Sequence, residues 1–183
     1  MNGTADVLRF HITFHSPFRV GAAGARDGID LTVDVGDPLP ATHLKGVTRA
    51  AARDILGVPA SLLGEIFGTT ATPSPWAWSA AVPTAPWKPN TVHRVNIDPQ
   101  THAAAKDMLV HAEQCWAPAA RFSITRTGAA VAATPTHRAV LRCATAAVHN
   151  LGGWRRRGLG WVGITPEPAV SPQDVADVRA AVR

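Results

Sequence analysis

Leu8, Phe10, Ile12 and Phe14 alternate with Arg9, His11, Thr13 and His15. A period of two places successive side chains on opposite faces, so residues 7–15 predict a half-buried strand with a polar, partly cationic outer face. Ser16-Pro17 ends it. The next apolar stripe has helical spacing: Leu44, Val47, Ala51 and Ile55. Thr42 is placed to cap this helix over residues 43–56, and Gly57 to close it. A second, short helix is expected over residues 60–67, stopped by Gly68. Residues 108–114 and 121–127 read as two antiparallel strands. Residues 136–150 read as a helix that turns Val140, Leu141, Ala144, Val148 and Leu151 inward. A last strand follows over residues 159–165, and Ser171 can begin a short terminal helix.

Two stretches break the periodicity. Residues 21–40 are rich in Gly and Asp and predict a long loop with a short strand at residues 31–35. A loop of that length inside a domain is usually functional. Residues 69–91 carry many Pro, Thr and Ala together with Trp76, Trp78 and Trp87. A disordered linker would seldom carry three Trp, so this stretch reads as an excursion from the domain. The order strand, helix, two strands, helix, strand is the β-α-β-β-α-β, ferredoxin-like plan of an α+β fold. One RRM-like domain over residues 1–183, with residues 69–91 inserted, accounts for the length. Its open sheet face is the one RRM domains use for single-stranded RNA, although a fold alone does not license a function.

Charge narrows the choice. The formal net charge is +5, and of 18 cationic residues only Lys45, Lys88 and Lys106 are lysine. Arginine presents a planar fork that fits phosphate oxygens and stacks on bases. An alanine-rich, arginine-rich composition also follows from a GC-rich genome, so basicity alone does not decide for a nucleic-acid partner. No apolar run is long enough to span a bilayer, and the first residues lack a signal-peptide pattern. Cys115 and Cys143 have no metal-ligand spacing and read as buried, inert residues. The expectation is a cytoplasmic protein with no membrane partner.

The sharpest chemistry lies in Gly152-Gly153-Trp154-Arg155-Arg156-Arg157-Gly158-Leu159-Gly160. Gly153 and Gly158 let the backbone approach a phosphate, the three Arg supply charge around the chain, and Trp154 can stack a base. The competing reading is a tight turn between helix and strand with solvated charges. A second site is the helix start at Pro40. There Thr42, His43 and Lys45 sit at a helix N-terminus that favours phosphate, with Arg49 one turn on. Plain capping with surface charges explains the same residues. His11 and His15 share the outer face of the first strand and can contact RNA; for His15, beside the glycine loop, an acid–base role is conceivable. The remaining His show no HxH or HExxH spacing and read as surface or core positions.

Three landmarks recur in order: "FHITFHSPFRVG", "PLPATHLKGVTRAAARDIL" followed by "IFG", and "NLGGWRRRGLGWV". "RVNID" and Glu113 fit the middle portion. Together they resemble the RAMP superfamily of CRISPR effector complexes, and within it the backbone subunits of type III complexes. One departure is that the "PGSS" of the family reads Pro40-Ala41-Thr42-His43 here. The resemblance implies a subunit that polymerises along a CRISPR guide RNA with copies of itself and other effector subunits, in a filament-like complex that pairs with a complementary target RNA. It implies a thumb that flips bases, for which residues 69–91 are the candidate. In some members an Asp in the glycine-loop region cuts the target and leaves a cyclic phosphate; Asp30 is the positional match and Asp27 the alternate.

A carboxylate near a scissile phosphate can hold a divalent metal, Mg²⁺, or help deprotonate a 2′-OH. Asp27, Asp30, Asp34 and Asp37 are equally good formers of a solvated turn. The rivals to a cleaving backbone subunit are a non-catalytic structural subunit, a guide-processing endoribonuclease of the same superfamily, and a metabolic α/β enzyme, for which no cofactor motif is present.

Overall fold

β1 (Val7–Phe14) follows its alternation: Leu8, Phe10, Ile12 and Phe14 are buried while Arg9 and Thr13 face solvent. The structure, a computed structural model, describes residues 6–22, 28–127 and 135–183. After β1 come α1 (Ala41–Asp54), α2 (Ala60–Phe67), β2 (Trp76–Trp78), β3 (Val82–Pro83), β4 (Lys88–Ile97), β5 (Ala104–Trp116) and β6 (Ala119–Arg126). The chain ends with α3 (Pro135–Ala146), β7 (Val162–Glu167) and α4 (Pro172–Ala181). It is a mixed α+β domain with antiparallel sheets.

β1 is central in the main sheet, antiparallel to β6 on one side and β7 on the other, with Ile12 opposite both Ala120 and Ile164. β2 and β3 pair with the far edge of β6, giving the order β2-β6-β1-β7. Leu44, Ala51 and Ala52 of α1 and Val140, Leu141 and Ala144 of α3 complete one hydrophobic cluster with the inner face of the sheet. Phe10 and Phe122 stack within it with ring centroids 4.9 Å apart. Each large side chain buried this way stabilises the fold by about 1.5–3 kcal/mol.

Several expectations need correction. β5 and β6 are strands, but they do not pair with each other. Both edges of β6 are taken by β1 and by β2 and β3, so β5 pairs with β4 in a separate hairpin. The stretch 69–91 contributes β2 and β3 to the main sheet and then begins β4. Its tryptophans are core anchors: Trp76 is buried, Trp78 stacks on Phe122, and Trp87 meets Phe14 and Phe18 edge-on. Thr42 does not cap α1. Pro40 is the N-cap, with no side-chain cap bond, and its carbonyl accepts from the His43 and Leu44 N–H groups. A proline there loses nothing by lacking an N–H, and Thr42 falls exposed in the first turn. The helix closes at Asp54, so Ile55 leaves the inner stripe and is 62% exposed. Cys115 is buried, which pushes its thiol up to about 11, whereas Cys143 is only half-buried. Ser171 does begin the terminal helix, through a reciprocal capping box with Asp174.

Candidate nucleic-acid interface

The glycine–arginine loop is stapled by backbone bonds to the segment that follows β1. Gly153 N–H donates to Arg19 O at 2.7 Å, Gly160 N–H to Pro17 O at 2.7 Å, and Leu151 N–H to Gly160 O at 2.8 Å. Gly152 and Gly160 have φ of +79° and +77°, and a Cβ would collide with the carbonyl of Arg19 at the first and of Leu151 at the second. Both positions require glycine for conformation and for space. The chain then rises into a single 3₁₀ turn, Arg155–Arg157, whose three side chains are exposed. Trp154 takes the left-handed φ of 56° that launches the turn. The guanidinium of Arg94, from β4, lies 4.4 Å from its ring centroid and that of Arg19 lies 5.4 Å away. Trp154 thus ties the loop to the β4–β5 hairpin by cation–π contact.

The helix start at Pro40 adjoins this loop. His43 Nε2 accepts the Gly152 N–H at 2.9 Å, which holds the loop against the start of α1. Accepting at Nε2 places the ring proton on Nδ1. Burial, and then the charge of Arg155, hold the His43 pKa below the ordinary imidazole value, which keeps that acceptor available. His43 therefore acts as a strut between the sites, with no charge of its own to offer. Lys45 and Arg49 lie one turn apart on α1. The Lys45 pKa is lowered by partial burial and by the like charge of Arg49, and Arg49 Nη1 donates to Gly68 O at 3.4 Å. Thr42, Lys45 and Arg49 line an open groove of about 550 Å³ that ends at Gly68 and Thr70.

His15 is exposed at the other side of the loop, its ring 4.7 Å from that of Trp161. Trp161 is 60% exposed and anchored by its N–H to Ser16 Oγ at 2.9 Å. Sequence reasoning missed it. The available signal was alternation: Val162 and Ile164 point inward, so Trp161 beside them points out. On the open sheet face Arg9 is flanked by Ser123 and Glu167, and His11 by Arg121 and Thr165. This face is polar and cationic.

The Asp-rich loop is built differently. Asp30 Oδ2 accepts the His111 N–H at 2.8 Å, and the Asp30 N–H donates back to His111 O at 3.0 Å. Leu31 bridges Ala112, Val33 bridges Gly21, and Val33 N–H donates to Glu113 Oε2 at 3.0 Å. The expected strand at residues 31–35 is this pair of isolated bridges, one to β5 at Ala112 and one to Gly21. Asp34 Oδ1 accepts from the N–H groups of Gly36 and Asp37 at 2.9 and 3.2 Å and so closes its own turn. Asp27 lies outside the described residues. Among the described residues no three His, Cys, Asp or Glu come together as a metal-binding group. Mg²⁺ takes one or two carboxylates and keeps several waters, and Asp30 offers one carboxylate of that kind. His93 and His111 do come together, with Nδ1 atoms 2.9 Å apart across the hairpin.

No family model matches the sequence, and comparison with curated proteins finds no match. Solved structures do match. A chain of the cryo-EM structure of type III-B Cmr-beta bound to cognate target RNA aligns with a TM-score of 0.59 at 17% identity, covering 86% of this chain and 58% of that one. A chain of type III-B Cmr-beta in its apo state aligns at 0.69 with 11% identity, covering 90% and 98%. The present chain therefore spans little more than half of the first neighbour and nearly all of the second. The resemblance read from the sequence returns here as a shared fold.

Proposed function

We propose that this chain is a guide-RNA-binding backbone subunit of a type III-like CRISPR effector complex. The observation that carries the reading is the His43–Gly152 bond, which sets the glycine–arginine loop against the start of α1, with Arg155 beside Gly46 and Ala50 and with Lys45 and Arg49 on a separate groove of the same helix. Cations on two rigid elements can follow successive phosphates of an extended strand. His15 and Trp161 add an aromatic platform at the other side of the loop, suited to a base. The ferredoxin-like plan fits the main sheet: with β2 and β3 taken as one broken strand, the order is second-third-first-fourth. The β4–β5 hairpin then becomes the insertion, and the thumb role suggested for residues 69–91 passes to it. Partners on this reading are the guide RNA, complementary target RNA, further copies of the chain and other effector subunits. Among the described residues no helix is long and apolar enough to cross a membrane.

A non-catalytic role is favoured by one observation. Asp30 Oδ2, the positional match to a cleaving carboxylate, is engaged by the His111 N–H. A cleaving role requires the remaining acceptor capacity of Asp30 to take the 2′-OH proton or to hold a divalent metal. Three experiments test the assignment and its rivals. The chain purified from cells that express a CRISPR array should carry a short guide RNA; purified material free of RNA and unable to bind added guide contradicts the assignment. Assembled complex given complementary RNA should cut it at regular spacing if Asp30 is catalytic, and Asp30→Ala should abolish cutting with binding intact. Guide-processing activity is tested by incubating the chain with a repeat-containing precursor, which should stay uncut.

A further inference from the structure

We propose that His93 and His111 form a bis-imidazole site for a borderline divalent transition-metal ion, of the Zn²⁺, Ni²⁺ or Cu²⁺ class, at the root of the β4–β5 hairpin. The two residues are direct cross-strand partners. Their Nδ1 atoms are 2.9 Å apart and their rings stand at 84°. Metal–imidazole bonds of about 2.0–2.1 Å place two nitrogens about 2.9 Å apart at a right angle and about 3.3 Å apart at the tetrahedral angle. Without metal the contact is an N–H···N hydrogen bond, with one ring protonated on Nδ1; with metal, that ring would carry its proton on Nε2 and both Nδ1 atoms would become ligands.

The surroundings fit an open site. His93 is exposed and His111 half-buried. The next pair on this face, Val95 and Leu109, is 46% and 55% exposed, so the outer side lies open. On the inner side, Glu113 is committed to the Val33 N–H and Asp30 to the His111 N–H, which puts carboxylate charge close by without completing a cage. Imidazole nitrogen selects against Mg²⁺ and Ca²⁺. The position also has mechanical meaning. A lone two-stranded hairpin is marginal in water, and the Leu31–Ala112 bridge and the Asp30–His111 bonds hold β5 at this point of the hairpin. An ion across residues 93 and 111 would pin the two strands to each other there. Its open positions would suit water or, on the RNA-binding reading above, phosphate oxygens; metal binding itself does not depend on that reading.

The test is equilibrium dialysis and calorimetry of the untagged full chain with Zn²⁺ and Ni²⁺, with Mg²⁺ as control. One equivalent should bind, Cu²⁺ should show nitrogen hyperfine coupling, and amide exchange across β4–β5 should slow on loading. His93→Ala and His111→Ala should each weaken binding by more than the roughly 10–100-fold lost with an outer-shell partner, while the exposed His149→Ala should not. Thermal melts of both variants check that they are folded. Absent binding, or binding that survives in the double variant, overturns the proposal. RNA affinity measured in parallel without metal keeps the two readings apart: retained RNA binding with no metal binding sinks this inference alone.

Discussion

At residues 152–163 the backbone is held and the charges are free, whereas at residues 28–37 the charges themselves do the holding. In the first loop, carbonyls of Pro17, Arg19 and Leu151 surround the glycines, and three guanidinium groups stand in solvent. In the second, Asp30 and Asp34 spend hydrogen-bond capacity on neighbouring N–H groups. Both loops are rich in glycine and charge. What distinguishes them is whether the charged atoms are already engaged, and this is why one loop is suited to an external anion and the other to anchoring the hairpin.

The sharpest break would come at the glycines. Gly160→Ala should lose about 3 kcal/mol or more, because positive φ and a backbone collision act together. Gly152→Ala should behave alike. Gly158 has φ of +81° but open space for a Cβ, so Gly158→Ala should cost only about 1 kcal/mol. Equal losses in urea denaturation would mean the loop relaxes around the added methyl groups. Next in size, Trp154→Ala removes the contacts to Arg94 and Arg19 and should lose about 1–2 kcal/mol. Faster amide exchange along β4 is the accompanying sign; unchanged exchange would mean that the hairpin does not lean on the loop.

Smaller effects belong to the acidic loop. Asp30→Ala should cost about 1 kcal/mol and speed exchange of the His111 amide, with Asp30→Asn milder because it keeps an acceptor. The smallest effect is a pH dependence at the seam between the two basic sites. The folded His43 pKa lies below the ordinary value of 6.5. Below that value the unfolded chain takes up a proton that the folded chain resists, so stability falls as the solution is acidified through 6.5 and is fully present above it. His43→Gln should remove this part of the profile, as read from melting curves between pH 5 and 8.

The sequence made local structure legible where one face is buried. β1 and α2 appear where period and terminal glycine put them, and Val140, Leu141 and Ala144 of α3 are buried as expected, whereas Val148 and Leu151 are buried beyond the end of the helix at Ala146. Pairing was less legible, because strand edges are matched by residues far apart. β4 was hidden altogether: it opens on Lys88-Pro89, and most of its residues are exposed, so it has neither alternation nor a clean start. The two basic motifs were each visible, but their contact was not, since His43 and Gly152 are 109 residues apart and meet only after folding. The same holds for His93 and His111, whose encounter depends on hairpin register. Thr42 was misplaced by a competition between caps that Pro40 wins.

The central claim is that Arg155, Arg156 and Arg157 neutralise phosphates of a single-stranded guide. Its most direct test is guide-RNA affinity against salt for the native chain and for the Arg155→Ala/Arg156→Ala/Arg157→Ala variant. Each phosphate neutralised on a single strand adds about 0.7 to the slope of log K against log salt. The account predicts a slope flatter by about 2 in the variant, with the melting temperature unchanged. An unchanged slope would contradict it and leave the three arginines as solvated surface charges.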